Sequence, residues 1–152
     1  LWAFDLGYSV ATDNAGNVYI TGKYEMNANF GGTIVGCAGN HDIFVAKYSS
    51  SGNFLWVKTA GGTGGDYAHA VAVDGAGNVY VTGEMEGTAT FAPGLSLSSN
   101  GDNDIFVSKY NTNGVLQWVK KLGGGKYSDK GLGISLSGDG GVYITGKFEG
   151  TG

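Results

Sequence analysis

Carboxylates spaced to act together are the first chemistry to look for, and Glu84 and Glu86 stand two residues apart, where a strand would turn both to one face. A glycosidase needs two carboxyl groups across the bond it cuts. No second acid is placed opposite this pair, so a glycan hydrolase or lyase working through channel carboxylates stays an alternative. Glutamate also recurs three residues after each Thr-Gly step: Glu25 after Gly22, Glu86 after Gly83 and Glu149 after Gly146. In a closed ring these would make a circle of carboxylates for cations or polar ligands. The simpler expectation is charged residues leaving a strand and discouraging edge pairing. The run "NGDND" at 100–104 brings Asp102 and Asp104 into an oxygen-rich loop without the glycine position and distal glutamate of a calcium hand. The matching earlier stretch is "GNHD", so only Asp42 and Asp104 persist, and Asp before a strand commonly forms a turn.

His41 and His69 stand in different elements and do not recur. Cys37 with His41 offers two ligands where zinc takes three or four, so Cys37 is expected to be a small, partly buried apolar residue. No "GxSxG" elbow or Walker loop occurs, and "GGTGG" and "GGGK" read as connections. Glu25, Glu84, Glu86 and Asp102 remain as ligand-binding candidates. No catalytic or metal residue is assigned and no cofactor is expected, calcium being the one ion the loop would suit.

The elements that must position these groups repeat along the chain. "AGNVYITG" at 15–22, "AGNVYVTG" at 76–83 and "GGVYITG" at 140–146 place Val18, Val79 and Val142 61 and 63 residues apart. "DIFVAKY" from Asp42 returns as "DIFVSKY" from Asp104, and "LWVKTAGG" as "QWVKKLGG", with Trp56 and Trp118 62 apart. Each piece alternates apolar and polar residues or is continuously apolar, and no window holds the three-and-four spacing of a helix. "DNAGN" and "DGAGN" separate the first two strands, "SSSGN" and "NTNG" the last two, with Gly16, Gly77 and Gly114 suited to positive φ. A unit is thus four antiparallel strands: "HAVAV", "NVYVTG", "DIFVSKY" and "LQWVK".

Four-stranded sheets repeated about every 60 residues, with small residues in the first strand, predict an all-β fold of β-propeller blades. Ala70, Ala72, Gly133 and Ser135 suit a crowded central channel, and Trp56 and Trp118 would cover the gap between blades. The units fall at 1–58, 59–120 and 121–152, the last only half a blade. At the first junction Trp2 precedes Val18 by 16 residues, where the equivalent gaps are 23 and 24. Closed propellers have 4–8 blades, so the expectation is a fragment of a longer propeller, or else a partial propeller closing by self-association. The free monomer is expected to be unstable, and its partners are further blades from the parent chain or other copies. The variable connections at 24–41 and 84–103, with Phe30 and Phe91 61 apart, are expected to form an extra ribbon or an extended second strand and to carry any ligand.

Composition narrows the classes. Thirty glycines, one proline and 19 aromatic residues (nine Tyr, seven Phe, three Trp) exclude collagen and make disorder a poor reading. Nine lysines and no arginine against thirteen acids, net charge −4, make nucleic acid a poor partner. No apolar run is long enough to span a bilayer as a helix. One cysteine rules out an internal disulfide.

The repeated "GNVYVTG" and "DIFVxKY" blocks resemble the bacterial β-propeller repeat (SBBP) family over practically the whole chain. The resemblance implies a secreted or cell-surface bacterial repeat protein, and it brings no agreed catalytic residues. The leading expectation is therefore a non-enzymatic extracellular module that binds glycan or protein, mediates adhesion or builds a surface assembly.

Overall fold

The computed structural model describes residues 4–150, all strand, turn and loop; Trp2 lies outside the described residues. The first sheet has the order β1-β2-β5-β6, from Leu6–Thr12, Val18–Tyr24, Asp42–Tyr48 and Phe54–Ala60. The second is made of β7 (Tyr67–Val73), β8 (Val79–Ala92), β9 (Leu95–Tyr110) and β10 (Leu116–Leu122), again in chain order. β11 (Lys130–Leu136) and β12 (Val142–Lys147) form a two-stranded sheet with the register of β1-β2 and β7-β8. All pairings within the sheets are antiparallel, as expected of propeller blades.

Five hairpin turns share one construction. Asp13, Ser49, Asp74, Asn111 and Ser137 each donate their N–H to the carbonyl four residues on, and their side chains accept that residue's N–H in return. The glycine three residues on bonds back to the head residue's carbonyl with φ of 77, 82, 81, 74 and 92°. A side chain with a Cβ is rarely stable in that left-handed region, so this glycine sets the turn and the turn sets the register. Asp13 and Asp74 also accept from Asn17 and Tyr19, and from Asn78 and Tyr80, respectively. Burial pushes these two carboxyls up, but their hydrogen bonds outweigh it and hold them below the usual range.

The Thr-Gly step closing each second strand has a packing cause. Gly22, Gly83 and Gly146 pair with Gly7, Ala68 and Gly131, where the first strand carries a bulge. A Cβ on these three glycines would sit 1.8, 1.8 and 1.9 Å from the carbonyl oxygens of Leu6, Tyr67 and Lys130. The preceding Thr21 and Thr82 are fully buried and donate to the carbonyls of Phe44 and Phe106 at 2.7 and 2.8 Å.

The long second-to-third connections take both expected forms, one in each unit. In the first, β3 (Asn27–Phe30) and β4 (Thr33–Gly36) make a separate ribbon; in the second, β8 and β9 run on as one long hairpin. The ribbons diverge after Glu25 and Glu86, where Met26 takes φ 56° and Gly87 takes φ 67°. Phe30 packs on Phe44 and Phe91 on Phe106, with ring centroids 4.9 and 5.2 Å apart.

Sheets meet face to face. β1 and β2 pack on β7, and β11 packs on β7 and β8. The main core lies between the first two sheets and joins Tyr19, Ile43 and Val45 of one to Val71, Val79 and Val81 of the other. Trp56 does bridge the gap, donating its indole N–H to the Thr112 carbonyl of the next unit at 3.2 Å. Trp118 lies edge-on to Tyr80 of its own sheet at 6.1 Å.

Candidate functional site

Polar groups from all three units converge where the first strands begin. Tyr67 opens β7 and is paired with Glu84 of β8; His69 sits in the bulge between Ala68 and Ala70. His41 is brought beside them by its bridge to Gly65 and by accepting the Asp66 N–H at its carbonyl. Their rings form a row, Tyr8–His69–Tyr67–His41, with centroid spacings of 5.4, 6.1 and 5.2 Å; Tyr67 and His69 lie nearly parallel, at 4°. Lys23 stands over Tyr67, 5.9 Å from its centroid.

Two relays run outward from this row. His41 Nε2 lies 2.8 Å from Glu25 Oε1, which also accepts Lys23 Nζ at 2.8 Å. With Nε2 donating to that carboxylate, His41 Nδ1 is the acceptor for the Tyr67 hydroxyl at 3.1 Å. On the other side Glu84, buried, accepts from His69 Nε2 at 3.0 Å, Asn103 Nδ2 at 2.6 Å and Lys130 Nζ at 3.0 Å. Burial pushes the Glu84 carboxyl up, but these three donors more than offset it and hold it below the usual range. Burial also pushes the Tyr67 phenol up, so it stays protonated. The site therefore presents an ionised carboxylate, a neutral phenol and two imidazoles on a row of ring faces.

The glutamates pair differently from what their spacing predicts. Glu84 and Glu86 do not act together, because Glu86 leaves the network and accepts the Gly65 N–H at 2.9 Å. The carboxylates of Glu25, Glu86 and Glu149 meet different partners: Lys23 and His41, the Gly65 N–H, and Lys147 respectively. What recurs is their backbone N–H groups, which donate to Asp5, Asp66 and Asp129 at 3.2, 3.2 and 2.8 Å. Those aspartates are 61 and 63 residues apart, the spacing of Val18, Val79 and Val142, so they belong to the repeat. Asp66 and Asp129 are buried.

Asp102 is exposed and contributes only its backbone carbonyl, to Ser99 Oγ at 3.0 Å. Asp42 and Asp104 are buried loop closers, accepting the N–H of Ala38 and Asn100 at 2.8 and 2.9 Å, and Lys121 pairs with Asp104 at 2.9 Å. Among the described residues no three of His, Cys, Asp and Glu converge as a metal would need. Cys37 is partly buried and turns to the Gly39 carbonyl while His41 turns to Glu25, so the two do not meet. Sequence reasoning missed Tyr67, Lys23 and Lys130: Tyr67 and Lys130 share a repeat position with Leu6, and Lys23 shares one with Glu84 and Lys147, so neither position carries one residue type through all three units.

Comparison with known proteins agrees with this architecture. A family model described as a beta-propeller repeat matches residues 55–84, from the outer strand of the first sheet to Glu84. An uncharacterized WD repeat-containing protein of Acanthamoeba polyphaga mimivirus is 27% identical over 99% of this chain. Regulatory protein FlaEY of Caulobacter vibrioides is 29% identical over 73% of it. The chain spans 13% and 12% of the lengths of these two relatives. Among the described residues no helix is long and apolar enough to cross a membrane.

Proposed function

We propose that this chain is a non-enzymatic binding module of an extracellular or cell-surface β-propeller, recognising a glycan or a polar protein surface at the row of rings around Tyr67. The observation that carries the reading is that row itself, half-exposed aromatic and imidazole faces fixed by Glu25 and Glu84 from behind. Rigid rings with polar tips give contact area at small entropic cost. The similarity to a WD repeat-containing protein supports a repeat scaffold. The hydrolase or lyase alternative finds little support, because Glu84 is held ionised by three donors and Glu86 is engaged elsewhere.

Titration of the chain with a panel of neutral and acidic oligosaccharides, followed by amide and aromatic NMR shifts, tests the proposal. Binding should move the signals of Tyr8, Tyr67 and His69, and Tyr67→Ala should weaken it at least tenfold, about 1.4 kcal/mol, with the strand spectrum intact. Binding that ignores Tyr67→Ala, or none to any member of the panel, would remove the site from consideration as a glycan receptor.

A further inference from the structure

The charges around Tyr67 are answered from within the chain. Glu25 Oε1 holds the Lys23 ammonium at 2.8 Å, and Glu84 Oε1 holds that of Lys130 at 3.0 Å. The Lys23 bond keeps the Glu25 carboxyl below its usual range, so it is ionised as Glu84 is. Two carboxylates against two ammoniums leave no net charge. These groups are set by contacts between units of this chain, because β7, which carries Tyr67 and His69, packs against β1 and β2 and against β11.

The hydrogen bonds are less evenly shared than the charges. His41 Nε2 donates to Glu25, His69 Nε2 to Glu84, and the Tyr67 hydroxyl to His41 Nδ1. In an imidazole that donates through Nε2, the other nitrogen is an acceptor. His41 Nδ1 is taken by Tyr67, whereas His69 Nδ1 has no partner among the described residues. The part-buried rings thus offer a visiting molecule apolar faces and one acceptor, the two lysines being already paired.

We propose that the Tyr67 row selects hydroxyl-rich, uncharged sugars and discriminates against uronic acids and other acidic glycans. The inference rests on the row being a glycan site. A neutral pyranose brings hydroxyls that donate to His69 Nδ1 and an apolar C–H face for the rings. A carboxylate brings acceptors only. It would give up its water for a surface whose ammoniums are taken, beside two ionised carboxylates of like charge. An acceptor left without a donor costs enough to separate the two ligand classes about tenfold in Kd.

Titration of the 152-residue chain with neutral oligosaccharides, each beside its uronic acid counterpart of the same length and linkage, tests the proposal through the NMR signals of Tyr67 and His69. The neutral member of a pair should bind about tenfold more tightly. Two substitutions change the charge of the site in opposite senses. Glu25→Gln frees the Lys23 ammonium and should narrow the preference by strengthening binding of the acidic member. Lys130→Met removes the cation beside Glu84 and should widen it. A purely structural disturbance would move both ratios the same way, and either variant that keeps its strand spectrum tests a direction of its own. Equal binding of the two members, or tighter binding of the acidic one, would overturn the proposal and leave the row a glycan site. So would a preference that shifts against these directions or not at all. Binding of no member would overturn the proposal and the glycan reading together.

Discussion

Gly83→Ala should abolish the folded state or cost at least ~3 kcal/mol, more than any exposed substitution in the second sheet. The added Cβ would lie 1.8 Å from the Tyr67 carbonyl oxygen and 2.9 Å from the Ala68 Cα. Both are backbone atoms of the neighbouring strand and cannot swing aside. Relief would require β7 to move away from β8, breaking the ladder on both sides of the bulge and displacing Tyr67 and His69. Gly94→Ala, at the exposed hairpin tip where a Cβ would meet nothing, is the control for the loss of a glycine. It carries its own cost, about 1 kcal/mol, from φ 76°. Chemical denaturation of the two variants checks the ranking, and an equal cost at both sites would contradict the close approach.

Stability should peak in mildly acidic solution and fall as the pH is raised toward 8. Asp66 is wholly buried, and burial first, then the nearby charges of Asp42 and Glu86, push its carboxyl from 3.8 up to about 7 against the N–H bonds of Gly62 and Glu86. Between those values the folded chain holds a proton that the unfolded chain has released. Stability therefore declines with rising pH, and the contribution is gone above about 7. Its size is on the order of 4 kcal/mol. Glu84 works the other way. Its folded carboxyl lies below the ordinary 4.5, so what it contributes is present above that value and is lost on acidification. Thermal melts from pH 3 to pH 8 should pass through a maximum between about 3.8 and 4.5 and decline from there to about 7, and Asp66→Asn should flatten that decline whatever its effect on absolute stability. An unchanged alkaline limb in that variant would assign the effect to other groups.

The strands were legible because their signals are local and come more than once. Asp-x-x-Gly turns, the "VYxTG" alternation and the Phe30/Phe91 pair each appear in at least two units with one structural meaning, and a period that long admits few folds. The site was legible only in part. Equal spacing drew Glu25, Glu86 and Glu149 together, yet spacing fixes where a backbone goes and not which partner a long side chain finds. Asp5, Asp66 and Asp129 were the true periodic acids, hidden because the surrounding residues, "FDLGY", "GDYAH" and "SDKGL", share little else. The Tyr67 row is the opposite case. Tyr8, His69 and Leu132 hold one repeat position, Leu6, Tyr67 and Lys130 a second, and Lys23, Glu84 and Lys147 a third in which Glu84 alone departs, so the network is built largely from what differs between units. A search for repeated residues passes over such a site, and only the stacking of sheets shows which differences meet.

That stacking is most directly tested at Gly114, in the turn between β9 and β10. A Cβ on Gly114 would lie 3.0 Å from Trp56 Cδ2 and 2.8 Å from Lys58 Cε, so its α-hydrogens rest against an indole from the preceding sheet. In a proton NMR spectrum the Gly114 α-hydrogens should be shifted strongly upfield by the indole ring current and show cross-relaxation to the Trp56 ring protons. Ordinary glycine shifts at Gly114, with Trp56 showing contacts only to its own sheet, would contradict the packing of one blade upon the next.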